Sequence, residues 1–269
     1  MIPAGFEYAR AGSVDEAVEL LGGDADAKLL AGGHSLIPLL RLRFARPSLL
    51  VDIGRLEELR YVKEDGDRIA IGALTRHADL VRDPVLAKHC AVVSTAAEGI
   101  GDPQVRHRGT IGGSIAHGDP ASDLATIAIT LDADLVLRGP GGERTVTAAD
   151  FFTGMFETAL GPQELLTEIR VPKVATATYL KHARRSHDWA TVGVAAAHVD
   201  GRVQVGLTSM GATPLRARSV EEAFAGGASA ADAAAHAGDG TSPPSDVNAS
   251  AEYRAHLAQV LVRRALEAV

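Results

Sequence analysis

The sequence predicts a mixed α+β protein, in which an α/β part precedes a three-stranded antiparallel sheet with helices. Three observations lead to this class. Short apolar strands alternate with helix-like segments over roughly the first 55 residues. The dipeptides Asp65-Gly66 and Asp200-Gly201 each join two strand-like segments, as in β-hairpins. The pattern changes near residue 173, which divides the chain into residues 1–172, with subdomains of about 1–55 and 56–172, and residues 173–269.

The first subdomain follows a β–loop–α–β order. Ser13 and Glu16 form a capping box, which predicts that a helix begins there and carries the next apolar residues. Apolar strands are expected at 28–30 and 49–53, and Leu and Ile recur at helical spacing over 36–44.

The rest of the chain is predicted from the same kinds of signal. Asp83-Pro84 opens a helix that we expect to end at Gly99, and residues 100–121 are expected to form a loop. The other predicted elements are a helix at 124–131, strands at 60–63, 68–71, 134–138, 144–147, 165–171, 176–182, 192–199 and 203–210, a helix at 214–224, loops around weak helix at 225–250, and a terminal helix at 253–268.

Composition limits the classes of function. The chain has 269 residues and a net charge of −7, which argues against a non-specific nucleic-acid binder. Cys90 is its one cysteine, so the chain by itself builds neither a disulfide nor an iron–sulfur site. No apolar run approaches the roughly 20 residues of a membrane-spanning helix, and the first residues lack the pattern of a signal peptide. We therefore expect a cytoplasmic protein.

Two glycine loops carry most of the functional information. Residues 31–35 (Ala-Gly-Gly-His-Ser) and 110–114 (Thr-Ile-Gly-Gly-Ser) both contain a glycine pair with a serine close behind. Paired glycines let the backbone approach a ligand closely and present N–H groups to an anion. A lone glycine pair is usually a plain turn, whereas two matched loops can grip a diphosphate from both sides. The sequence therefore predicts a dinucleotide site, with backbone amides of both loops and the hydroxyls of Ser35, Thr110 and Ser114 as donors.

The two loops also resemble the signatures of a known family. With Leu42-Arg43-Phe44, residues 116–123 (Ala-His-Gly-Asp-Pro-Ala-Ser-Asp) and the tail at 250–265, they resemble the medium, FAD-binding subunits of molybdenum hydroxylases. This is the family of aerobic carbon monoxide dehydrogenase and xanthine dehydrogenase, and the resemblance covers essentially the whole chain. It implies an oxidoreductase subunit with a two-subdomain FAD-binding fold of the PCMH/vanillyl-alcohol-oxidase type, followed by a smaller C-terminal domain.

The resemblance further implies cofactors and partners. FAD is expected to bind non-covalently to this chain, while molybdopterin is carried by a large partner subunit and iron–sulfur clusters by a small one. The expected assembly is a dimer of heterotrimers, in which this chain passes electrons from the clusters through FAD to an external acceptor. No catalytic residue or metal ligand is assigned to the chain. The cofactor-binding residues implied by the loops and the family are Ala31, Gly32, Gly33, His34, Ser35, Leu36, Ile100, Gly109, Thr110, Ile111, Gly112, Gly113, Ser114, Asp123, Leu166, Lys181 and Trp189.

Several of these side chains have a plainer alternative role. Asp123 contacts ribose or ribityl hydroxyls, or else only supplies a favourable charge at a helix N-terminus. Ile100 and Leu166 match cofactor-contacting family positions, or belong to the ordinary core. Lys181 lies near the electron-rich end of the flavin ring, or is a solvated strand lysine. Trp189, where many relatives have Tyr, shields one flavin face or anchors the C-terminal core.

Other polar residues leave further alternatives open. His34 contributes only its amide, lines the flavin, or bonds to it covalently; the resemblance favours the first two. The basic run at 106–108 reaches the FAD phosphates or a partner subunit, or forms a solvated loop. Cys90 is expected to be inert core.

Two other functions compete with the electron-transfer subunit. A self-sufficient FAD-dependent oxidase is the first, although the roughly 95 residues after position 173 are few for the substrate-binding cap that such enzymes need. A non-catalytic assembly module is the second, and it would leave both glycine loops without a ligand.

Overall fold

A computed structural model describes residues 2–269 of the chain. The described chain forms four β-sheets with helices packed around them. Within residues 2–269, no helix combines the length and apolar character needed to cross a membrane.

The N-terminal unit is a three-stranded parallel sheet with one helix after each of its first two strands. Its strand order is β1-β3-β2, because the chain crosses over to place the third strand in the centre. Ser13 Oγ accepts the Glu16 N–H at 3.1 Å, so the predicted cap begins the first helix. The elements are β1 (Glu7–Arg10), α1 (Val14–Gly23), β2 (Lys28–Leu30), α2 (Leu36–Leu42) and β3 (Leu49–Asp52).

The central unit is an antiparallel five-stranded sheet of order β4-β5-β10-β6-β7, with a two-stranded ribbon of β8 and β9 beside it. Both predicted hairpins of this sheet are present. The elements are β4 (Val62–Asp65), β5 (Arg68–Gly72), α3 (His77–Arg82), α4 (Pro84–His89), α5 (Ala91–Glu98), α6 (Pro103–Arg108), α7 (Ile111–Ala116), α8 (Asp123–Thr130), β6 (Asp134–Gly139), β7 (Gly142–Thr147), α9 (Ala148–Phe151), β8 (Phe152–Gly154), β9 (Glu157–Thr158) and β10 (Leu165–Pro172).

The C-terminal unit is an antiparallel sheet with helices on one side. Its strand order is β11-β12-β13-β14, and the long final helix contributes Leu261 and Val262 to the core against it. The elements are β11 (Ala177–His182), β12 (Val192–Val199), β13 (Arg202–Thr208), β14 (Leu215–Arg216), α10 (Arg218–Ala225), α11 (Ala230–Ala234) and α12 (Ala251–Glu267).

Three local predictions are wrong in detail. The C-terminal sheet has four strands rather than three, because Leu215 and Arg216 pair with β13 before the helix begins at Arg218. The helix predicted from Asp83 to Gly99 is two helices, because the backbone at Cys90 leaves the helical region with φ −160°. The predicted loop at 100–121 contains α6 and α7, each opened by a capping side chain.

One large apolar core joins the central unit to the C-terminal sheet. Phe151 and Leu124 are fully buried in it, and Tyr179 of β11 and Ala195 of β12 belong to the same cluster. Strand β11 is therefore packed against the helices of the central unit, which brings its side chains next to α8.

Candidate functional site

A cleft of about 890 Å³ lies where the N-terminal unit, the central helices and the C-terminal sheet meet. Its size is in the range of small-molecule and cofactor sites. Every predicted site residue except Ile111 lines it. From the first loop these are Ala31, Gly32, Gly33, His34, Ser35 and Leu36; from the second, Gly109, Thr110, Gly112, Gly113 and Ser114; from elsewhere, Ile100, Asp123, Leu166, Lys181 and Trp189.

Ile111 corrects the prediction. Its side chain is 3% exposed and belongs to the apolar core, and its N–H donates to the carbonyl of Thr75. It anchors the second loop to the end of strand β5 and does not face the cleft.

The first loop presents unpaired donors. Within residues 2–269, the N–H groups of Gly32, Gly33, His34 and Ser35 donate no hydrogen bond. Gly33 has φ +81°, a left-handed conformation that glycine adopts without strain. Four neighbouring amides without partners on a cleft wall suit an anionic ligand.

The second loop is built differently from the first, although the sequences match. Its amides already have acceptors: the N–H of Gly112 donates to Ala73, that of Gly113 to Thr110 Oγ1 and that of Ser114 to the Thr110 carbonyl. The prediction that both loops offer free glycine amides is therefore wrong for this loop. Its available donors are the hydroxyls of Thr110 and Ser114.

The glycines bring the two loops into direct contact. A Cβ on Gly32 would collide with the carbonyl of Arg108 and lie 2.9 Å from the Cα of Gly109. A Cβ on Gly112 would lie 2.5 Å from Ala73 Cβ. Close backbone approach thus explains these two glycines as part of the fold, and the same approach forms a continuous wall of the cleft.

A buried ion pair closes another side of the cleft. Lys181 Nζ donates to Asp123 Oδ2 at 2.8 Å and to the Gly99 carbonyl at 3.0 Å. Tyr179 donates to the other carboxylate oxygen of Asp123 at 2.5 Å and lies 3.3 Å from Thr208 Oγ1. Burial raises the pKa of Asp123, while Lys181 and Tyr179 oppose the rise by stabilising the charged form.

These contacts exclude the plainer alternative for Lys181 and Trp189, and they give Asp123 a role that neither alternative named. Asp123 is 6% exposed and holds a cation, so it does more than supply charge to a helix end. Lys181 is mostly buried rather than solvated. Trp189 is 71% exposed and lines the cleft, so it does not anchor the C-terminal core.

The loop carrying Trp189 is tied to the central helices. His187 Nδ1 lies 2.8 Å from the Gly101 carbonyl, and the guanidinium of Arg106 donates to the same carbonyl at 2.9 Å. Arg106 therefore holds the chain at 100–101 in place and is not part of a solvated loop. Cys90 is buried, and burial raises the pKa of its thiol to about 12, as expected for inert core.

His77 is a cleft residue that the sequence analysis missed. It begins helix α3, is 3% exposed, and lies beneath Gly109, whose added Cβ would come within 2.7 Å of the ring. Its Nδ1 has no hydrogen-bond partner within residues 2–269. Burial, with His34 and Arg106 nearby, lowers the pKa of His77 to about 4, so the ring is neutral at pH 7. Tyr179 was missed as well, because its place in an apolar strand carries no sign of a buried acidic partner.

The residues that the structure describes contain no group of three or more His, Cys, Asp or Glu placed to hold a metal ion. His117 packs against the ring of Phe156 at a centroid distance of 5.1 Å, which is a packing role.

Two family models together match almost the whole chain. The family model described as the FAD binding domain in molybdopterin dehydrogenase matches residues 4–174. The model described as the CO dehydrogenase flavoprotein C-terminal domain matches residues 177–269.

Individual relatives match along their full length. The chain is 43% identical to the carbon monoxide dehydrogenase medium chain of Hydrogenophaga pseudoflava over an alignment of 281 positions. The alignment covers 100% of this chain and 98% of the relative. It is 38% identical to the glyceraldehyde dehydrogenase medium chain of Sulfolobus acidocaldarius, with 100% of both chains covered.

A solved structure agrees with this similarity. This chain superposes with a TM-score of 0.95, at 44% identity, on one chain of the carbon monoxide dehydrogenase from Hydrogenophaga pseudoflava. That structure lacks the Mo-pyranopterin moiety of the molybdenum cofactor. The match covers 100% of this chain and 98% of that one.

Proposed function

The chain belongs to the family of FAD-binding subunits of molybdopterin dehydrogenases, and we propose on that premise that it carries FAD in the cleft and transfers electrons within a larger molybdenum hydroxylase. The observation that carries the proposal is the contact between the two glycine loops beside four unpartnered amides. A diphosphate needs donors from more than one direction, and these loops supply amides from one side and hydroxyls from the other.

The residues of the cleft fit FAD. The amides of residues 32–35 with Ser35, Thr110 and Ser114 would hold the diphosphate, and His77 offers an unpaired ring nitrogen beneath the second loop. Ile100 and Leu166 supply apolar wall for an aromatic ring system. When bound, FAD supplies the redox chemistry that exchanges electrons between a donor cluster and an acceptor.

The chain's own contribution is binding, orientation and charge. Asp123 and the Gly99 carbonyl hold the Lys181 ammonium at the cleft wall, where its third N–H can donate to an electron-rich ligand group. Trp189 covers part of the opening with an exposed aromatic face that restricts access of water and acceptors. None of these groups breaks or forms a covalent bond, so we assign no catalytic residue to the chain.

The names of the relatives support a proposal for the electron donor and the partners. Relatives are named as medium chains or subunits of carbon monoxide, nicotine and glyceraldehyde oxidoreductases. We therefore place this chain between the iron–sulfur clusters of a small subunit and an external acceptor, with a large molybdopterin subunit acting on the substrate. The proposed complex is a dimer of heterotrimers in the cytoplasm.

Filling the cleft with a bulky side chain tests the proposal. Ser114→Trp places an indole on the half-buried wall beside the first loop, and Ser219→Trp makes the same change near the start of α10, outside the cleft. Each variant is expressed as the full chain, and flavin per chain is measured by chromatography after acid precipitation. Far-UV circular dichroism monitors the fold of each variant.

We expect flavin in the supernatant of the wild type and of Ser219→Trp, and little flavin with folded Ser114→Trp. Full flavin content in Ser114→Trp would overturn the assignment of the cleft. Flavin that stays in the acid pellet would overturn non-covalent binding and point to His34.

A further inference from the structure

A second cavity, of about 600 Å³, adjoins the backbone of both glycine loops. The carbonyl of Arg108 in its lining lies against Gly32, and Gly54 lies beside the carbonyl of Ala31. Five arginines from separate segments line this arginine cavity: Arg10, Arg55, Arg60, Arg76 and Arg108.

The charges of the arginine cavity are not balanced by the chain. Its lining has two carboxylates, and Glu57 accepts from Arg60 at 2.6 Å. Asp52 accepts from Tyr8 at 2.6 Å and from the Gly54 amide at 2.7 Å, and it binds no arginine.

The other four guanidinium groups lack partners. Within residues 2–269, the side chains of Arg10, Arg55, Arg76 and Arg108 form no hydrogen bond and no ion pair. The Nε of Arg60 is buried and also without a partner. Five positive charges against two negative ones repel one another, and a bound anion would relieve that repulsion.

We propose that the arginine cavity binds a small multivalent oxyanion of the phosphate class. Guanidinium groups match phosphate oxygens in paired, parallel hydrogen bonds, so converging arginines suit this chemistry better than a single carboxylate. The lining consists of arginine, carboxylate and glycine only. It contains no apolar or aromatic side chain on which a nucleobase could stack or which could form the centre of a protein interface.

The position of the site gives the anion a structural role. The Arg76 backbone pairs with Thr110 of the second loop, and the N–H of the next residue, His77, donates to the Gly109 carbonyl at 3.0 Å. An anion that draws Arg76 and Arg108 together would therefore stabilise the contact between the two loops from outside the cleft. This inference stands on the cavity alone and does not require FAD.

Isothermal titration with inorganic pyrophosphate tests the proposal, using the full chain at constant ionic strength. The double variant Arg10→Gln/Arg55→Gln removes two exposed, unpaired cavity arginines and keeps the fold. The matched control, Arg82→Gln/Arg202→Gln, removes two exposed arginines elsewhere. We expect saturable binding by wild type and control, and affinity weakened about tenfold or more in the cavity variant, because it lacks two charged donors for the anion.

Two further titrations test whether the anion binds in the cleft instead and which kind of anion the cavity prefers. Pyrophosphate also resembles the FAD diphosphate, so the cleft-filled Ser114→Trp is titrated in parallel and is expected to bind it normally. Phosphate and ADP are titrated in the same way, and an Arg10- and Arg55-dependent preference for ADP would overturn the small-oxyanion assignment in favour of a nucleotide.

Several results would overturn the proposal. Binding lost in Ser114→Trp but kept in the cavity variant would place the anion in the cleft. No binding of any of the three anions would refute the site. If in that case Arg10→Gln/Arg55→Gln also loses a co-purified partner subunit, the arginines form a subunit contact instead.

Discussion

Asp123 of helix α8 and Lys181 of strand β11 form an ion pair of 2.8 Å in which both side chains are mostly buried. The pair joins a helix of the central unit to the first strand of the C-terminal sheet, and Tyr179 completes it by donating to the same carboxylate. A buried charge destabilises the fold strongly if its oppositely charged or hydrogen-bonding partners are removed. The cleft wall and the packing of the two units therefore depend on the same three side chains.

Lys181→Met is expected to lower the free energy of unfolding by about 3–5 kcal/mol, because it leaves the buried Asp123 carboxylate without its cation. Urea unfolding of the FAD-free chain measures the loss. The control is Lys173→Met, which breaks a more exposed pair with Glu64 and should cost less than about 1 kcal/mol. Adding Asp123→Asn to Lys181→Met should restore much of the stability. Equal losses for Lys181→Met and Lys173→Met would contradict the structural role of the buried pair.

His77 is expected to make the protein acid-sensitive. Its pKa is about 4 when folded and 6.5 when unfolded, so between these values the unfolded chain binds more protons. The stabilisation is fully present above pH 6.5 and is lost as the pH falls towards 4. The 2.5-unit difference corresponds to about 3 kcal/mol.

Unfolding free energies measured from pH 4 to 7 test this dependence. His77→Gln should flatten the slope, whereas His198→Gln, at an exposed position on β12, should leave it unchanged. A slope that survives in His77→Gln would assign the acid sensitivity to other groups.

Gly112→Ala is expected to destabilise the chain by about 1–3 kcal/mol. Its Cβ would lie 2.5 Å from that of Ala73 and 2.7 Å from the Ala73 carbonyl, although alanine is the better helix former. The control is Gly23→Ala, since a Cβ there meets nothing within 4 Å. Thermal unfolding of both variants measures the difference, and unchanged stability in Gly112→Ala would show that the loop adjusts at no cost.

Trp189 gives an optical test of the cleft. It is the one tryptophan of the chain and is 71% exposed, so acrylamide should quench its emission readily in the FAD-free protein. Bound FAD should cause a saturable loss of most of this emission and protect the ring from acrylamide, because an aromatic ligand in the cleft lies against it. The control is Ser114→Trp/Trp189→Phe, which has one tryptophan and is expected to bind little FAD. Any loss of its emission during the titration therefore measures absorption of light by free flavin. Emission unchanged at full flavin occupancy would place Trp189 away from the ligand.

Some elements were predictable because their signals are local. The hairpins at Asp65-Gly66 and Asp200-Gly201 and the cap at Ser13 each depend on residues a few positions apart. The break at Cys90 and the strand at 215–216 were not predicted, because they depend on packing and pairing with distant segments.

The candidate site divides in the same way. The two glycine loops were identified from their sequence, and all but Ile111 of the predicted residues line one cleft. The similar sequences did not reveal that the two loops differ chemically. The amides of the first loop donate no hydrogen bond, whereas those of the second loop donate to acceptors within the chain.

The sequence by itself determined the mixed class, the family and the loops that meet at the cleft, because turn, cap and glycine chemistry acts over short stretches of chain. Only the tertiary structure decided which polar groups remain unsatisfied. Asp123 pairs with a cation 58 positions away, whereas Arg10, Arg55, Arg76 and Arg108 line one cavity and form no ion pair within residues 2–269. Charges act through space, so their balance exists only once the chain has folded.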